Sequence, residues 1–407
     1  MSRAGGGPLW RERPVQCLMV VALLGFTSFC LTLAALPLWA VQGGVSVGAA
    51  GTVTTVMLMT TVATQLAVPA LVARWGIAPT LAVGLVALGA PAPLLALSHD
   101  PAVLLSVSAV RGAGFAVLTV LGSLLTTVVA PADRHGESVG LYGLATAVPN
   151  LLGAPLGVAL TQHGAFWWVA VLSAAPVLAV PFAVALGRRR PPRAAAPAAS
   201  TASAPASPTA PRSAGRLGGP ALRAVAAPSL VLFAATLAAG GLVTFLPIEV
   251  SAGSVATAGL LLLGLSSGLL RWRVGALADR MGVRLLLPWS VVAAVVGILV
   301  VAGGLELDSG PAVLAGALVF GGGYGAVLNL TLVMAFARAG PAGSTTASSG
   351  WNAAFDSGTA VGAGGLGAVA AAGLSIPGGL ALSALLMVAT LPAVCRPGHR
   401  RPRSRDL

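Results

Sequence analysis

The amino-acid sequence predicts an all-α membrane protein: twelve transmembrane helices in two pseudo-symmetric six-helix bundles. Three observations carry that prediction. Hydrophobic residues make up 57% of the chain and charged residues only 8%, where a water-soluble protein carries roughly 25% charged residues. Apolar runs of roughly 20 residues, enough to span a bilayer, recur from end to end. A short charged motif appears twice, about half a chain apart, as duplication of one bundle would produce.

The apolar runs fall at 15–40, 46–72, 78–97, 102–130, 137–161 and 165–187, and again at 225–248, 254–274, 284–304, 311–337, 344–373 and 376–395. Each reads as a helix, because an open strand would leave backbone groups unpaired in lipid. The first run is too long for the apolar part of a signal peptide, and a full bundle follows it. Between 188 and 223 the pattern breaks into R-R-R-P-P-R and then Ala, Pro, Ser and Thr. Such a stretch cannot bury a core, so it reads as a disordered linker. The organisation is therefore a first bundle at 1–187, the linker at 188–223, a second bundle at 224–396 and a basic tail at 397–407.

Orientation follows the arginines, which supply all the basic charge, since lysine is absent. Arg3, Arg11, Arg13, Arg74, Arg134, the linker, the stretch from Arg271 to Arg284, Arg338 and the tail fall on one side of the predicted spans. The opposite loops carry His99, Asp100, His163, Glu249, Glu306 and Asp308. Arginine-rich loops stay cytoplasmic, which places both termini there and the protein in the cell membrane. The net charge of +13 is thus a topology signal, and no nucleic-acid partner is expected. Trp39, Trp167 and Trp168 at one set of helix ends, and Trp10, Trp75 and Trp272 at the other, read as interfacial anchors. Cys17, Cys30 and Cys395 are odd in number and lie in or beside apolar runs. They form no disulfide framework or metal spacing. No phosphate-binding loop, zinc motif or nucleophile elbow occurs, so neither an enzyme nor a cofactor is expected.

The repeated motif is G-A-L-A-D-R-M-G-V-R at Gly275–Arg284, with a degraded copy at Pro69–Gly76 in which Pro69 and Ala73 replace the glycine and the aspartate. It resembles the G-x-L-a-D-R-x-G-x-R cytoplasmic loop of the major facilitator superfamily. The resemblance covers essentially the whole chain outside the linker and tail. It implies two six-helix halves around a central cavity, a small-molecule substrate and a monomer in the bilayer. It also implies a cytoplasmic gate made of Gly275, Asp279, Arg280, Gly282, Arg284 and Arg74. In that family the loop's aspartate caps a helix of the opposite half. Asp279 is therefore expected to face the start of the fifth span, near Gly136 to Ser138, where a helix N-terminus favours negative charge.

Two charges stand out deep inside predicted spans, where charge is costly. Arg111 lies about 14 Å into the fourth span, in R-G-A-G-F. That stretch resembles the superfamily's fourth-helix motif, whose arginine is linked to proton coupling. The competing reading is a structural arginine bonded to backbone carbonyls or a neighbouring acid. Asp356 lies about 18 Å into the eleventh span, in W-N-A-A-F-D-S-G. Removing a carboxylate from water favours its neutral form, which makes Asp356 a candidate proton carrier. The competing reading is an aspartate tied to Asn352, Ser357 or another helix. Asn352, Asn329, Tyr324, Thr244 and Asn150 are candidate cavity residues. V-P-N-L-L-G-A-P-L-G at 148–157 resembles the fifth-helix element of drug/proton antiporters, with Val148 where that motif has glycine.

Further alignments join Arg111–Phe115 to Phe320–Tyr324, and Gly140–Tyr142 to Gly350–Asn352. The reading that follows is a proton-coupled secondary transporter exporting a small amphipathic molecule, a drug or secondary metabolite, by alternating access. Uptake of a sugar, acid or other metabolite, and a non-transporting sensor with the same fold, are the alternatives.

Overall fold

The computed structural model describes residues 8–130, 134–187, 219–250, 252–340 and 344–395. A short 3-10 turn at Leu9–Arg11 leads into α1 (Arg13–Gln42), which has proline in its first turn. Proline costs nothing there, since the first amide has no helical partner. Then come α2 (Val47–Ala50) and α3 (Thr52–Trp75), separated by Gly51. α4 (Ile77–Gly89) runs on into a 3-10 turn at Ala92–Ala96, where prolines break the α-helical bonding. α5 (Pro101–Val129) starts at Asp100, whose carboxylate accepts the Ala102 N–H at 2.8 Å. α6 (His135–Gln162), α7 (Phe166–Leu172) and α8 (Val180–Gly187) complete the first part. The second part holds α9 (Gly219–Glu249), α10 (Gly253–Met281), α11 (Val283–Glu306), α12 (Gly310–Ala339), α13 (Ser344–Ala371) and α14 (Ile376–Cys395).

Among the described residues there is no strand, and 10 helical segments are long and apolar enough to cross a membrane. Two of the expected spans fall short of that measure. α13 is long but rich in Ser, Thr and Gly, with Asn352 and Asp356 in its middle. The apolar part of α14, Ile376–Pro392, is short.

Two sequence expectations need adjustment. The linker was expected to reach 223, but α9 already begins at Gly219, with Pro220 in its first turn where a helix accepts it. Residues 188–218 lie outside the described residues. The charged motif was expected to be a loop, but Gly275 to Met281 belong to α10, and the turn narrows to Gly282. Gly282 has φ 82° and ψ 142°, and its N–H bonds the Ala278 carbonyl at 2.9 Å. Gly76 does the same with φ 84° and ψ 171°, bonding Val72 at 2.8 Å, and Pro69 lies inside α3. Positive φ strains any residue with a Cβ, so one glycine can end one helix and start the next.

Helix packing repeats along the chain. A Cβ on Gly112 would strike the Met57 carbonyl, and one on Gly321 the Leu263 carbonyl; Gly114 likewise faces Gly84 and Leu88, as Gly323 faces Ser290 and Ala294. Gly157 presses on the Leu31 carbonyl as Gly362 presses on that of Leu237. Each pair of struck residues is 206 positions apart, the separation of Gly76 and Gly282. Small residues let helix backbones come this close where lipid supplies no hydrophobic drive. The Gly157–Gly362 pair places α6 and α13 in a register of 205, so the expected alignment of Gly140 with Gly350, at 210, is off by more than a helical turn. Poor patterning in these Gly- and Ser-rich helices hid the true register.

Apolar packing is concentrated separately in each part. One large cluster is centred on Leu242, Phe245 and Phe320, and borrows Ala34, Leu38 and Val158. Two others, around Leu85 and Leu118 and around Leu104 and Phe166, lie almost wholly within the first part. Trp39, read as an interfacial anchor, is also packed at its helix end: its indole donates to the Leu95 carbonyl at 2.9 Å and stacks on Phe166 at 4.4 Å. Trp10, Trp75, Trp167, Trp168 and Trp272 are exposed.

Candidate functional site

Among the described residues, two hydrogen bonds join the part before the linker to the part after it, and both run from α3 to α13. The Thr55 hydroxyl donates to the Ala360 carbonyl at 2.8 Å, and the Gln65 amide donates to Asp356 Oδ2 at 2.9 Å. Glycines make the approach possible. A Cβ on Gly364 would meet Thr55, and Gly48 and Gly51 rest on the backbone of Gly367 and Ala363. The opposite seam, α6 against α10, is made differently. Gly264 packs on Leu151 and Gly253 against Gln162, and among the described residues no hydrogen bond crosses it.

Asp356 is 7% exposed, the one buried acidic side chain among the described residues. Its helix neighbours do not satisfy it. Asn352, one turn earlier, is exposed and bonds the Ser348 carbonyl at 2.9 Å; Ser357 bonds the Ala353 carbonyl at 2.5 Å. Gln65, on another helix 291 positions away, meets the carboxylate instead. Sequence reasoning missed Gln65. The available signal was that it is the one amide in the run 46–72.

Arg111 is fully buried between α1, α4 and α5. Its Nε donates to the Leu88 carbonyl at 3.1 Å, and Nη2 donates to the Ser28 carbonyl at 2.9 Å, Ser28 Oγ at 3.2 Å and Thr32 Oγ1 at 3.1 Å. Nη1 has no partner among the described residues. The cage is made of carbonyl and hydroxyl oxygens. Carbonyl dipoles offset part of the several kcal/mol that burying such a charge costs. Arg111 and Asp356 are therefore not brought together. At the aligned position the second part has buried Phe320, with Ala234 and Ala238 where the first has Ser28 and Thr32.

The remaining candidates are scattered. Asn329 ties α12 to α10 by donating to the Arg271 carbonyl at 2.8 Å. Tyr324 is half-buried and stacks on Phe320 at 5.7 Å. Thr244 is buried, its hydroxyl without a partner among the described residues. Asn150 bonds the Thr146 carbonyl at 2.8 Å and accepts the Cys30 thiol at 3.6 Å. At the gate, Arg74, Arg280 and Arg284 are exposed, and the Asn329 amide lies 3.4 Å from where a Gly275 Cβ would be. The side chain of Asp279 lies outside the described residues. At the start of α6, Arg134 pairs with Glu137 at 2.8 Å, and Glu137 also accepts the Leu9 N–H at 3.2 Å.

The sequence pattern described as Major Facilitator Superfamily matches residues 18–363. No curated protein matches the chain. Among solved structures, a nucleoside transporter, NupG, is similar at 14% identity and a TM-score of 0.72, over 94% of this chain and 98% of that one. An auto-inhibited peptide transporter of the POT family is similar at 14% identity and 0.70, over 97% and 99%. A bacterial homologue of the human lysosomal transporter Spinster, solved inward-facing and unoccupied, is similar at 15% identity and 0.65, over 96% and 95%. At these identities the likeness is one of fold.

Proposed function

The chain belongs to the major facilitator superfamily, and from that premise we propose that it is a proton-coupled secondary transporter that exports a small amphipathic molecule by alternating access. The observation that carries the reading is the Gln65–Asp356 hydrogen bond. One buried carboxylate sits at the seam between the two parts of the chain and is held by a neutral amide from the other side. A hydrogen bond to an ionised acceptor is roughly twice as strong as a neutral one. Asp356 as a carboxylate thus holds α3 to α13, and a proton on it loosens that hold. Moving α3 from α13 then links the proton to the access of the cavity. The glycine contacts repeated at 206 positions support two six-helix halves of twelve spans moving as rigid units.

Arg111 serves the same scheme from a distance, as the buried charge that holds α1, α4 and α5 together. Asp279, with Arg280, Arg284 and the turn at Gly282, forms a latch on the cytoplasmic side that closes on the start of α6 when the cavity faces outward. The export direction rests on the resemblance of 148–157 to the antiporter element. In this fold Gly153 and Gly157 of that element seat α6 on Cys30 and Leu31 of α1. Substrate flux in proteoliposomes with an imposed ΔpH tests the reading. Flux against the proton gradient supports antiport, flux with it makes the protein an importer, and no flux under any gradient makes it a sensor.

A further inference from the structure

A cleft of about 750 Å³ opens between α1, α6, α9 and α10 at the end of the molecule that carries His163. It lies on the α6–α10 seam, away from Asp356 and Gln65. Each helix gives it one face. α10 contributes Ser254, Thr257, Ala258 and Leu261, the spacing of residues that share a side. α6 contributes Ala159 and Gln162, with His163 just past its end, and α1 contributes Leu38 and Gln42 one turn apart.

The helix ends sort these groups by depth. Gln42 and Gln162 are the last residues of α1 and α6, and Ser254 is the second of α10. With His163 they form a polar rim. One turn deeper stand Leu38, Ala159 and Ala258, with Leu261 beyond them. Thr257 is the single hydroxyl at that depth. Among the described residues, no carboxylate and no arginine lines the cleft. The acids Glu249 and Asp308 line an adjoining cavity of about 210 Å³ beside α11 and α12, which shares only Val250 with the cleft. The larger volume lies in the range of small-molecule pockets, roughly 300–1,000 Å³.

We propose that this cleft is a second small-molecule site, separate from the Asp356 seam, and that it takes an uncharged amphipathic molecule with its apolar part inward and its polar part at the Gln42–Gln162 rim. A charged ligand would lose its hydration there without gaining a counter-charge. The seam around it is closed by Gly264 on Leu151 and Gly253 against Gln162, without hydrogen bonds among the described residues, so the cleft can widen without breaking polar contacts. That the ligand is cargo rests on the transporter reading; that it binds does not.

The test uses the full chain in nanodiscs, with Cys17, Cys30 and Cys395 replaced by Ala and a bimane label on His163→Cys at the rim. Two quenchers are compared: the uncharged benzoate ester of hydroxy-TEMPO and the cationic trimethylammonium-TEMPO. Saturable quenching by the ester alone is expected, with half-saturation at least about tenfold weaker in Ala258→Phe. Thr257→Val keeps the shape and removes one hydrogen bond, and should weaken the ester about three- to tenfold. Binding is read at equilibrium, with no ΔpH and no transport, so failure of proton coupling would not decide this result. Quenching that rises linearly and equally in the Ala258→Phe protein would overturn the site. Equal saturation by the cationic probe would overturn the ligand class.

Discussion

The amide of Gln65 reaches Asp356 across 2.9 Å and 291 residues of sequence. Gln65 stands nearly three turns beyond Thr55, whose hydroxyl grips the same helix at Ala360. The two bonds give the α3–α13 seam polar contacts beside its glycine contacts. The α6–α10 seam is glycine-packed, and among the described residues no hydrogen bond crosses it. A change at Asp356 therefore acts on one side of the molecule first.

Replacing Gln65 with Leu removes the donor and leaves the carboxylate without its partner. Such a loss costs about 1–2 kcal/mol, a five- to thirtyfold shift in the two-state ratio. Spin labels at Trp75 and Asn352 should show the longer-distance population growing by that factor at neutral pH. An unchanged distance distribution in a folded Gln65→Leu protein would mean that the hydrogen bond does not hold the seam.

The two single-glycine turns should respond alike, because Gly76 and Gly282 share a positive φ of 84° and 82°. Gly76→Ala and Gly282→Ala each force a Cβ into positive φ, at about 1–2 kcal/mol. Both should lower the thermal midpoint by similar amounts. A loss confined to Gly282→Ala would show that the two turns are not equivalent.

Glycines inside the helices should divide by what they touch. A Cβ on Gly157 meets the Leu31 carbonyl, whereas one on Gly143 meets nothing within 4 Å. Gly157→Ala should destabilise by about 1–3 kcal/mol through overpacking. Gly143→Ala should stabilise α6 by about 0.5–1 kcal/mol. Thermal unfolding in detergent reads both, and equal shifts would contradict the close α1–α6 approach.

Much of this fold is legible in the sequence, because hydrophobic runs and turn glycines are local signals. The run 102–130 reads directly as α5, and Gly76 and Gly282 mark their turns. What the sequence hides is set between helices. Nothing near Asp356 in the chain points to Gln65, since their meeting depends on glycines at 48, 51, 364 and 367 that let α3 and α13 approach. The carbonyl cage of Arg111 is hidden for the same reason, because backbone oxygens carry no side-chain signature. Asn352 shares a chain neighbourhood with Asp356, yet its amide turns to the Ser348 carbonyl.

Arg111 tests the packing role separately. Lysine keeps the charge but has no planar fork to bond Leu88, Ser28 and Thr32 together. Arg111→Lys should lower the thermal midpoint while the proton dependence of transport keeps its shape. A shifted pH profile with unchanged stability would instead place Arg111 in the proton path.

The central claim is that Asp356 carries the coupled proton, and its most direct test is ΔpH-driven substrate accumulation by Asp356→Asn in proteoliposomes. Asn keeps the size of the side chain and cannot take up the proton. The expected result is loss of accumulation against a gradient while counterflow exchange of substrate persists. An Asn protein that still accumulates substrate in response to ΔpH would contradict the account.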